Sequence, residues 1–401
     1  MTTRQSETLD PMNLVRELTA LPHRAATSVH ERSAAAMLER RLKELGATVE
    51  RQRFMTPPTY VTEVWWLLLG LILGLRFLPT LPWGALLLVI ASVALAFHYF
   101  DWRASPVSRL PPRAEAVNVI GRKAPSTKAQ RKLILMAHYD SAPVSFLYRP
   151  ERVKGFRQSL RMSMAVMVLA VVVSVLYVLG IATTWMNLAR WALVIYFLLQ
   201  GALSTIDYLR LGFTNGAADN ATGTAAALVT AARLWEDPLP DWEVDLVLTS
   251  AEEANMKGSL AYYQANAQYL DRDKVFLLNL DNLGAGDIKV VTRTGSLTNV
   301  DYDNPLVDAA LAVVANDARF AGVKPGVWHT GDFDSIWFAR AGIPSMTLSA
   351  QDAQGRIPNL HRPSDVLQNV DAAVPMLAVE LAEAIVRRLA SQLRTDQAVA
   401  Q

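Results

Sequence analysis

From Met162 to Ile181 the chain carries no charged side chain, a run of 20 residues. As a helix rising about 1.5 Å per residue, such a run matches a hydrocarbon layer about 30 Å thick. A second run, from about Trp185 to Leu203, holds Arg190 near its outer end and Gln200 near its inner end, both close enough to an interface to be tolerated. Upstream, Val64–Leu78 is apolar apart from Arg76, and Leu81–Phe100 is apolar again, with Pro79 and Pro82 dividing the two. Trp65, Trp66, Trp83 and Trp102 fall near the ends of these runs, where aromatic side chains gather at a membrane interface. The pattern predicts two helical hairpins and four spans, so the chain reads as an integral protein of the inner or plasma membrane, with the lipid bilayer as a partner. These runs also explain why 51% of the residues are hydrophobic.

The rest of the sequence has the alternation of a soluble α/β protein. Helices are expected at Asn13–Ala20 and His30–Leu45, the second ending at Gly46, and a strand at Thr48–Phe54. Strands are expected at Ala116–Arg122, Lys132–Ala137, Trp242–Ser250, Val275–Leu280, Ile288–Thr292 and Ser345–Ser349. Helices should cover Ala221–Trp235, Gly258–Leu270, Pro305–Ala318 and Pro375–Leu393. One domain is therefore expected, beginning at 11–60, continuing at 101–160 with a basic juxtamembrane segment, and completed by 207–394. The hairpins at 61–100 and 161–206 interrupt it, and 395–401 is a polar tail expected to fray. A net charge of +2 gives no field that would attract nucleic acid. Without cysteine, disulfides and thiolate metal sites are excluded. The polar opening, Met1–Asp10, lacks the apolar core of a cleaved secretory signal.

The ends of the expected strands carry the chemistry. Leu246–Ser250 is an apolar run that stops at the adjacent carboxylates Glu252 and Glu253. His138 and Asp140 end the strand at 132–137, Asp219 follows Gly216, Asp281 ends the strand at 275–280, and His361 lies in a proline-rich loop. Taken singly, each has a plain structural reading: a satisfied strand-end histidine, a turn or cap aspartate, a solvated Glu-Glu turn. Together they put imidazoles and carboxylates where open α/β sheets bind ligands. Imidazole nitrogen and carboxylate oxygen are zinc donors, and two metals about 3.5–4 Å apart can share a carboxylate and activate one water.

The segments His138-x-Asp140, Gly216-x-x-Asp219-Asn220-x-x-Gly223, Glu252-Glu253 with Gly258-Ser259, Asp281, and His361-x-x-x-Asp365 occur in this order. Phe338 followed by Gly342-Ile343-Pro344 extends the pattern. In these segments the chain resembles the dizinc aminopeptidases of metallopeptidase family twenty-eight, which includes bacterial leucyl aminopeptidases, glutamate carboxypeptidase II and the glutaminyl cyclases. The likeness covers everything but the hairpins and the extreme ends. It implies a three-layer αβα zinc exopeptidase domain with a mixed sheet, and two Zn2+ ions. It further implies that Asp219 bridges the metals, that His138 and Asp281 complete one site, and that Glu253 and His361 complete the other. Glu252 is implied as the general base, Asp140 as the residue orienting His138, and the Asp219–Asn220 peptide as cis. The pattern departs from the family at Ser335, which follows Asp334 where histidine is usual. His98 and His329 are expected to be structural or interfacial.

The resemblance implies a membrane-anchored exopeptidase that hydrolyses peptides, an aminopeptidase before a carboxypeptidase. A one-zinc acyltransferase of the glutaminyl cyclase type is disfavoured because His138 and Asp281 are both retained. A catalytically silent receptor or complex subunit is disfavoured because the ligands and the base are all present. The flanks of the hairpins on the domain side carry Arg103, Arg109, Arg113, Arg149, Arg152, Lys154, Arg157 and Arg161, and this bias places the catalytic domain in the cytoplasm. Because the second hairpin is inserted between Asp140 and Asp219, the site should lie near the bilayer surface. Its mouth could face either the bilayer or bulk water.

Overall fold

The computed structural model describes residues 9–125 and 128–400. Helices α1 (Pro11–Thr19) and α2 (Val29–Glu44) open the chain, followed by β1 (Thr48–Thr56). Helices α3 (Tyr60–Phe77) and α4 (Pro82–Phe100) form the first hairpin, and β2 (Ala114–Arg122) and β3 (Arg131–His138) follow. After the short α5 (Pro150–Val153), the second hairpin is α6 (Phe156–Val178) and α7 (Thr184–Leu211). The remaining elements are α8 (Gly223–Glu236), β4 (Trp242–Thr249), α9 (Lys257–Asn266), β5 (Val275–Leu280), β6 (Asp287–Thr294), β7 (Val300–Asp301), α10 (Pro305–Asn316), β8 (Lys324–Val327), α11 (Ile336–Arg340), β9 (Ser345–Gln351) and α12 (Ala373–Ala400).

The strands form one mixed sheet of nine, ordered β1-β2-β4-β3-β5-β9-β6-β7, with β8 paired to β6. Its centre, β4-β3-β5-β9, is parallel, and the antiparallel pairs lie to either side. Alternation along the central strands sorts side chains between two cores. Leu133, Leu135, Leu246, Leu248, Leu278 and Leu280 face a layer made by α1, α2, α8, α10 and α12. Ile134, Met136, Val247 and Leu277 face Tyr262 of α9 and Phe338 of α11. The fold is thus the three-layer αβα arrangement expected from the sequence, and it spans both sides of each hairpin.

The hairpins build a third core of their own, in which Leu67, Leu71, Val89, Val93, Ala170 and Phe197 are buried together. Helix α3 packs on α4 and α7, and α4 on α6. A Cβ at Gly74 would stand 2.5 Å from Val89 Cγ2 and 3.1 Å from the Ala85 carbonyl, so α3 and α4 approach closely only with glycine there. All four helices are long and apolar enough to cross a membrane. Their outward faces expose Leu87, Val172, Ile195 and Leu199. Arg190 is buried and donates to the Leu75 carbonyl at 3.2 Å, which offsets part of the cost of its charge within an apolar bundle. The first hairpin is fastened to the sheet domain through Glu63 of α3, which is fully buried and sits 2.8 Å from Lys257 Nζ, the first residue of α9.

Several boundaries differ from expectation. Helix α6 starts at Phe156, six residues before the charge-free run, and α7 continues eight residues past Leu203. Charged residues at these ends lie beyond an apolar window yet continue the backbone hydrogen bonding. Helix α12 runs past the expected end at Leu393 to Ala400, while Gln401 lies outside the described residues. The expectation for the first eight residues also falls outside them. Helix α8 begins at Gly223 rather than Ala221, because a wide turn at Ala217–Thr222 precedes it. β7, β8 and α11 had no clear signature: they are two to five residues long and lack a full period of alternation.

Candidate metal centre

The central strands point their C-terminal ends at one place. In β3 and β4, His138 pairs in register with Thr249, so His138 and the Glu252–Glu253 turn leave neighbouring strands at the same level. Asp281 follows the last residue of β5, the next strand along. Asp219 arrives in the turn before α8. Asn220 fixes that turn: its side chain donates to the Leu280 carbonyl at 3.0 Å and accepts from the Gly223 and Asn282 N–H groups at 2.9 and 3.1 Å. A Cβ on Gly223 would lie 2.2 Å from Asn220 Oδ1 and 2.3 Å from the Leu280 carbonyl, which is why that position is glycine. The Asp219–Asn220 peptide is cis, as the resemblance implied.

The side chains converge. His138 Nε2 lies 3.3 Å from Asp219 Oδ1 and 3.4 Å from Asp281 Oδ1. His361 Nε2 lies 3.4 Å from Asp219 Oδ2 and 3.1 Å from Glu253 Oε2. Two three-residue sets, His138/Asp219/Asp281 and Asp219/Glu253/His361, therefore share Asp219, one oxygen toward each. Glu252 Oε2 is 3.9 Å from His138 Nε2, and Glu252 also falls within reach of a set with His138 and Glu253. His361 is in the left-handed region at φ 52°, and the Ser145 N–H holds its carbonyl at 3.1 Å. Tyr148 covers its ring at 4.1 Å between centroids.

Zinc bonds of about 2.1 Å in a tetrahedron put neighbouring donor atoms about 3.4 Å apart, the spacing seen here. The polar atoms also lack other partners: Asp219 Oδ2 and Glu253 Oε1 are buried without a hydrogen bond. Crowding makes these acids costly. Burial, reinforced by Asp219, pushes Glu253 up to about 8, and burial also lifts Glu252 and Asp281. Burial opposes the charge on His361, but Glu253 and Asp219 outweigh it and raise the imidazole to about 10. Burial likewise opposes the charge on Asp219, which the neighbouring His138 and His361 imidazoles nevertheless hold well below the usual carboxylate range. Divalent cations would relieve this crowding of acids, so the donor set fits metal.

Asp140 does more than the sequence suggested. Oδ1 lies 3.4 Å from His138 Nδ1, and the two carboxylate oxygens accept the backbone N–H groups of Glu252 and Glu253, each at 3.2 Å. One fully buried carboxylate thus sets the turn that carries both glutamates. Other supporting residues were not read from sequence. Asp365 accepts the Ala218 and Asp219 N–H groups at 2.6 and 3.3 Å, and burial followed by repulsion from Asp219 lifts it to about 7. Asn282 Nδ2 donates to Asp219 at 3.2 Å and Asp281 at 2.8 Å. Arg24, fully buried, donates to the carbonyls of Tyr139, Asn215 and Gly216 and so ties together the loops that carry Asp140 and Asp219. Asp365 had a signal, four residues after His361; Arg24, far away in sequence, had none. Asp334 is buried beneath the site with the Thr249 hydroxyl as its donor, whereas Ser335 points to Tyr302 and Thr347. His329 bonds to the Gly295 carbonyl at 3.0 Å, as a structural histidine does.

Comparison with known proteins bears on the fold around this site. Residues 204–386 match the model of peptidase family M28. The comparison with curated proteins gives no match. Among solved structures, the chain is similar to an aminopeptidase from Aneurinibacillus sp. strain AM-1, at 15% identity and a TM-score of 0.56, covering 96% of this chain and 95% of that one. It is similar to BSAP, a zinc aminopeptidase from Bacillus subtilis, with the same identity, TM-score and coverage. It is also similar to the LapA aminopeptidase of Legionella pneumophila, at 13% identity and a TM-score of 0.54, covering 96% of this chain and 72% of that one. Residues 204–386 are thus similar to peptidase family M28, and the chain as a whole shares the fold of these solved structures.

Proposed function

We propose that this protein is a membrane-anchored aminopeptidase that uses two zinc ions. The observation that carries the reading is the pair of ligand sets sharing Asp219, with Glu252 beside them and outside the His361 set. His138, Asp219 and Asp281 would hold one ion, and Asp219, Glu253 and His361 the other. Bound there, the metals supply a Lewis acid for the scissile carbonyl and lower the pKa of a bound water. The chain's own residues do the rest. Glu252 takes the proton from the attacking water and passes it to the leaving amine. Asp140 fixes the backbone of that glutamate and orients His138. Asp365, Asn282 and Arg24 hold the Asp219 turn.

The four apolar helices support anchoring, and the basic flanks support a cytoplasmic catalytic domain. The units at 11–60, 101–160 and 207–394 act as one peptidase domain around the hairpins. The test is zinc content and hydrolysis by the purified full chain on free and N-blocked aminoacyl and peptide substrates. Two zincs per chain and cleavage only of substrates with a free N-terminus are expected. Asp219→Ala should lose at least one zinc and the activity with it; two retained zincs would contradict its bridging role.

A further inference from the structure

The cavity above the metal residues, about 280 Å³, is walled on the far side by the hairpins. The domain-side ends of all four apolar helices contribute: Tyr60 and Val64 from α3, Phe100 from α4, Leu160 from α6, and Ser204 from α7. This wall is mainly apolar but carries an organised polar line. Ser159 and Ser163 are one helical turn apart on α6, Gln200 and Ser204 one turn apart on α7, and all four face the cavity. The Gln200 amide donates to Ser163 Oγ at 3.4 Å, and Ser163 Oγ is 3.2 Å from the Tyr196 hydroxyl. Gln200 Oε1 is buried with no donor. Ser92 and Ser174 elsewhere in the spans bond back to their own helix carbonyls, as Ser204 does to the Gln200 carbonyl at 3.1 Å, which leaves Gln200 Oε1 as the unmatched group of this line. A free acceptor in an apolar bundle is costly, and such groups mark substrate paths.

We propose that the site takes its substrate from the bilayer. The substrate is a peptide whose N-terminal residue lies at the metal centre and whose following residues, apolar in side chain, run between the domain-side ends of α6 and α7. An extended peptide backbone at that depth needs hydrogen-bond partners that lipid cannot give. Gln200 Oε1 accepts a substrate N–H there, with the neighbouring serine hydroxyls beside it. Met162, Leu199 and Leu203, exposed on these same two helices, give the path an apolar rim continuous with lipid. This inference rests on the aminopeptidase reading above and names the class of peptide it serves.

The test uses the zinc-loaded full chain in phosphatidylcholine/phosphatidylglycerol vesicles and three substrates: leucyl-p-nitroanilide, and two decapeptides with the same first two residues followed by apolar or by polar ones. Cleavage of the apolar peptide is expected to exceed that of the polar one at least tenfold in kcat/KM. Partition into the vesicle alone also favours the apolar peptide, so the variants decide. Gln200→Leu and Ser163→Trp should each lower the apolar-to-polar ratio at least fivefold, while Val172→Trp, on the outward face of α6, should not change it. Equal rates for the two peptides, or a preference that survives both cavity variants, overturns the inference while leaving the peptidase reading intact. Failure to cleave even the leucyl anilide overturns both.

Discussion

Asp140→Asn isolates what the structure adds to the site. The parent carboxylate gives one oxygen to the Glu252 N–H and the other to the Glu253 N–H, both at 3.2 Å. An asparagine keeps one acceptor and turns an NH2 toward the other N–H, so one charged hydrogen bond becomes a donor facing a donor. Hydrogen bonds to a charged group contribute about 1.5–3 kcal/mol. At about 1.4 kcal/mol per tenfold, this is a loss of about 10- to 150-fold. Residues that support metal ligands typically contribute about 10- to 100-fold in affinity or activity, a similar range reached independently. Because the turn carries both the proposed base and a proposed ligand, zinc affinity and kcat should fall together. The assay is zinc competition against a calibrated chelator, alongside kcat and KM on an aminoacyl anilide, in purified Asp140→Asn and parent. The reasoning fails if zinc affinity and kcat both stay within about threefold of the parent. A fall in zinc affinity with kcat of the fully loaded enzyme unchanged would reduce Asp140 to an orienter of His138.

Four further outcomes are expected. Glu252→Gln should lower kcat by about 10²–10⁴ with zinc content unchanged; loss of zinc would make Glu252 a ligand instead. Gly223→Ala puts a Cβ 2.2 Å from Asn220 Oδ1 and should destabilise by about 1–3 kcal/mol; an unchanged denaturation midpoint would remove this packing argument. Burial lifts Asp332 from 3.8 to about 7, so the native state keeps a proton that the unfolded chain releases. The stability this gives is full below 3.8 and is lost as pH rises toward about 7, and Asp332→Asn should flatten that slope in denaturant titrations across the window; an unaltered slope would exclude Asp332 as its source. A reporter fused after residue 401 should be active only when cytoplasmic; activity confined to the other side would reverse the proposed orientation.

The hairpins and the sheet were legible in the sequence because each signal is local. A charge-free run of 20 residues needs no tertiary contact to be recognised, and neither does a buried strand ending in carboxylates. The candidate metal residues were legible for the same reason: His138 ends a strand, Glu253 and Asp281 follow strand ends, Asp219 precedes a helix, His361 stands in a proline-rich loop, and their order along the chain carries the resemblance. The sequence could not show the joining of Arg24 to the 215–216 carbonyls, the bond from Asp365 to the Asp219 turn, or the double use of Asp140, since these contacts link residues more than 100 positions apart. Nor could it show that Gln200, which reads as an interfacial glutamine tolerated at a helix end, has an unpaired oxygen in the cavity above the candidate metal residues. A side chain's type and period follow from the local sequence, but the group it faces depends on how strands and helices distant in the chain are packed together.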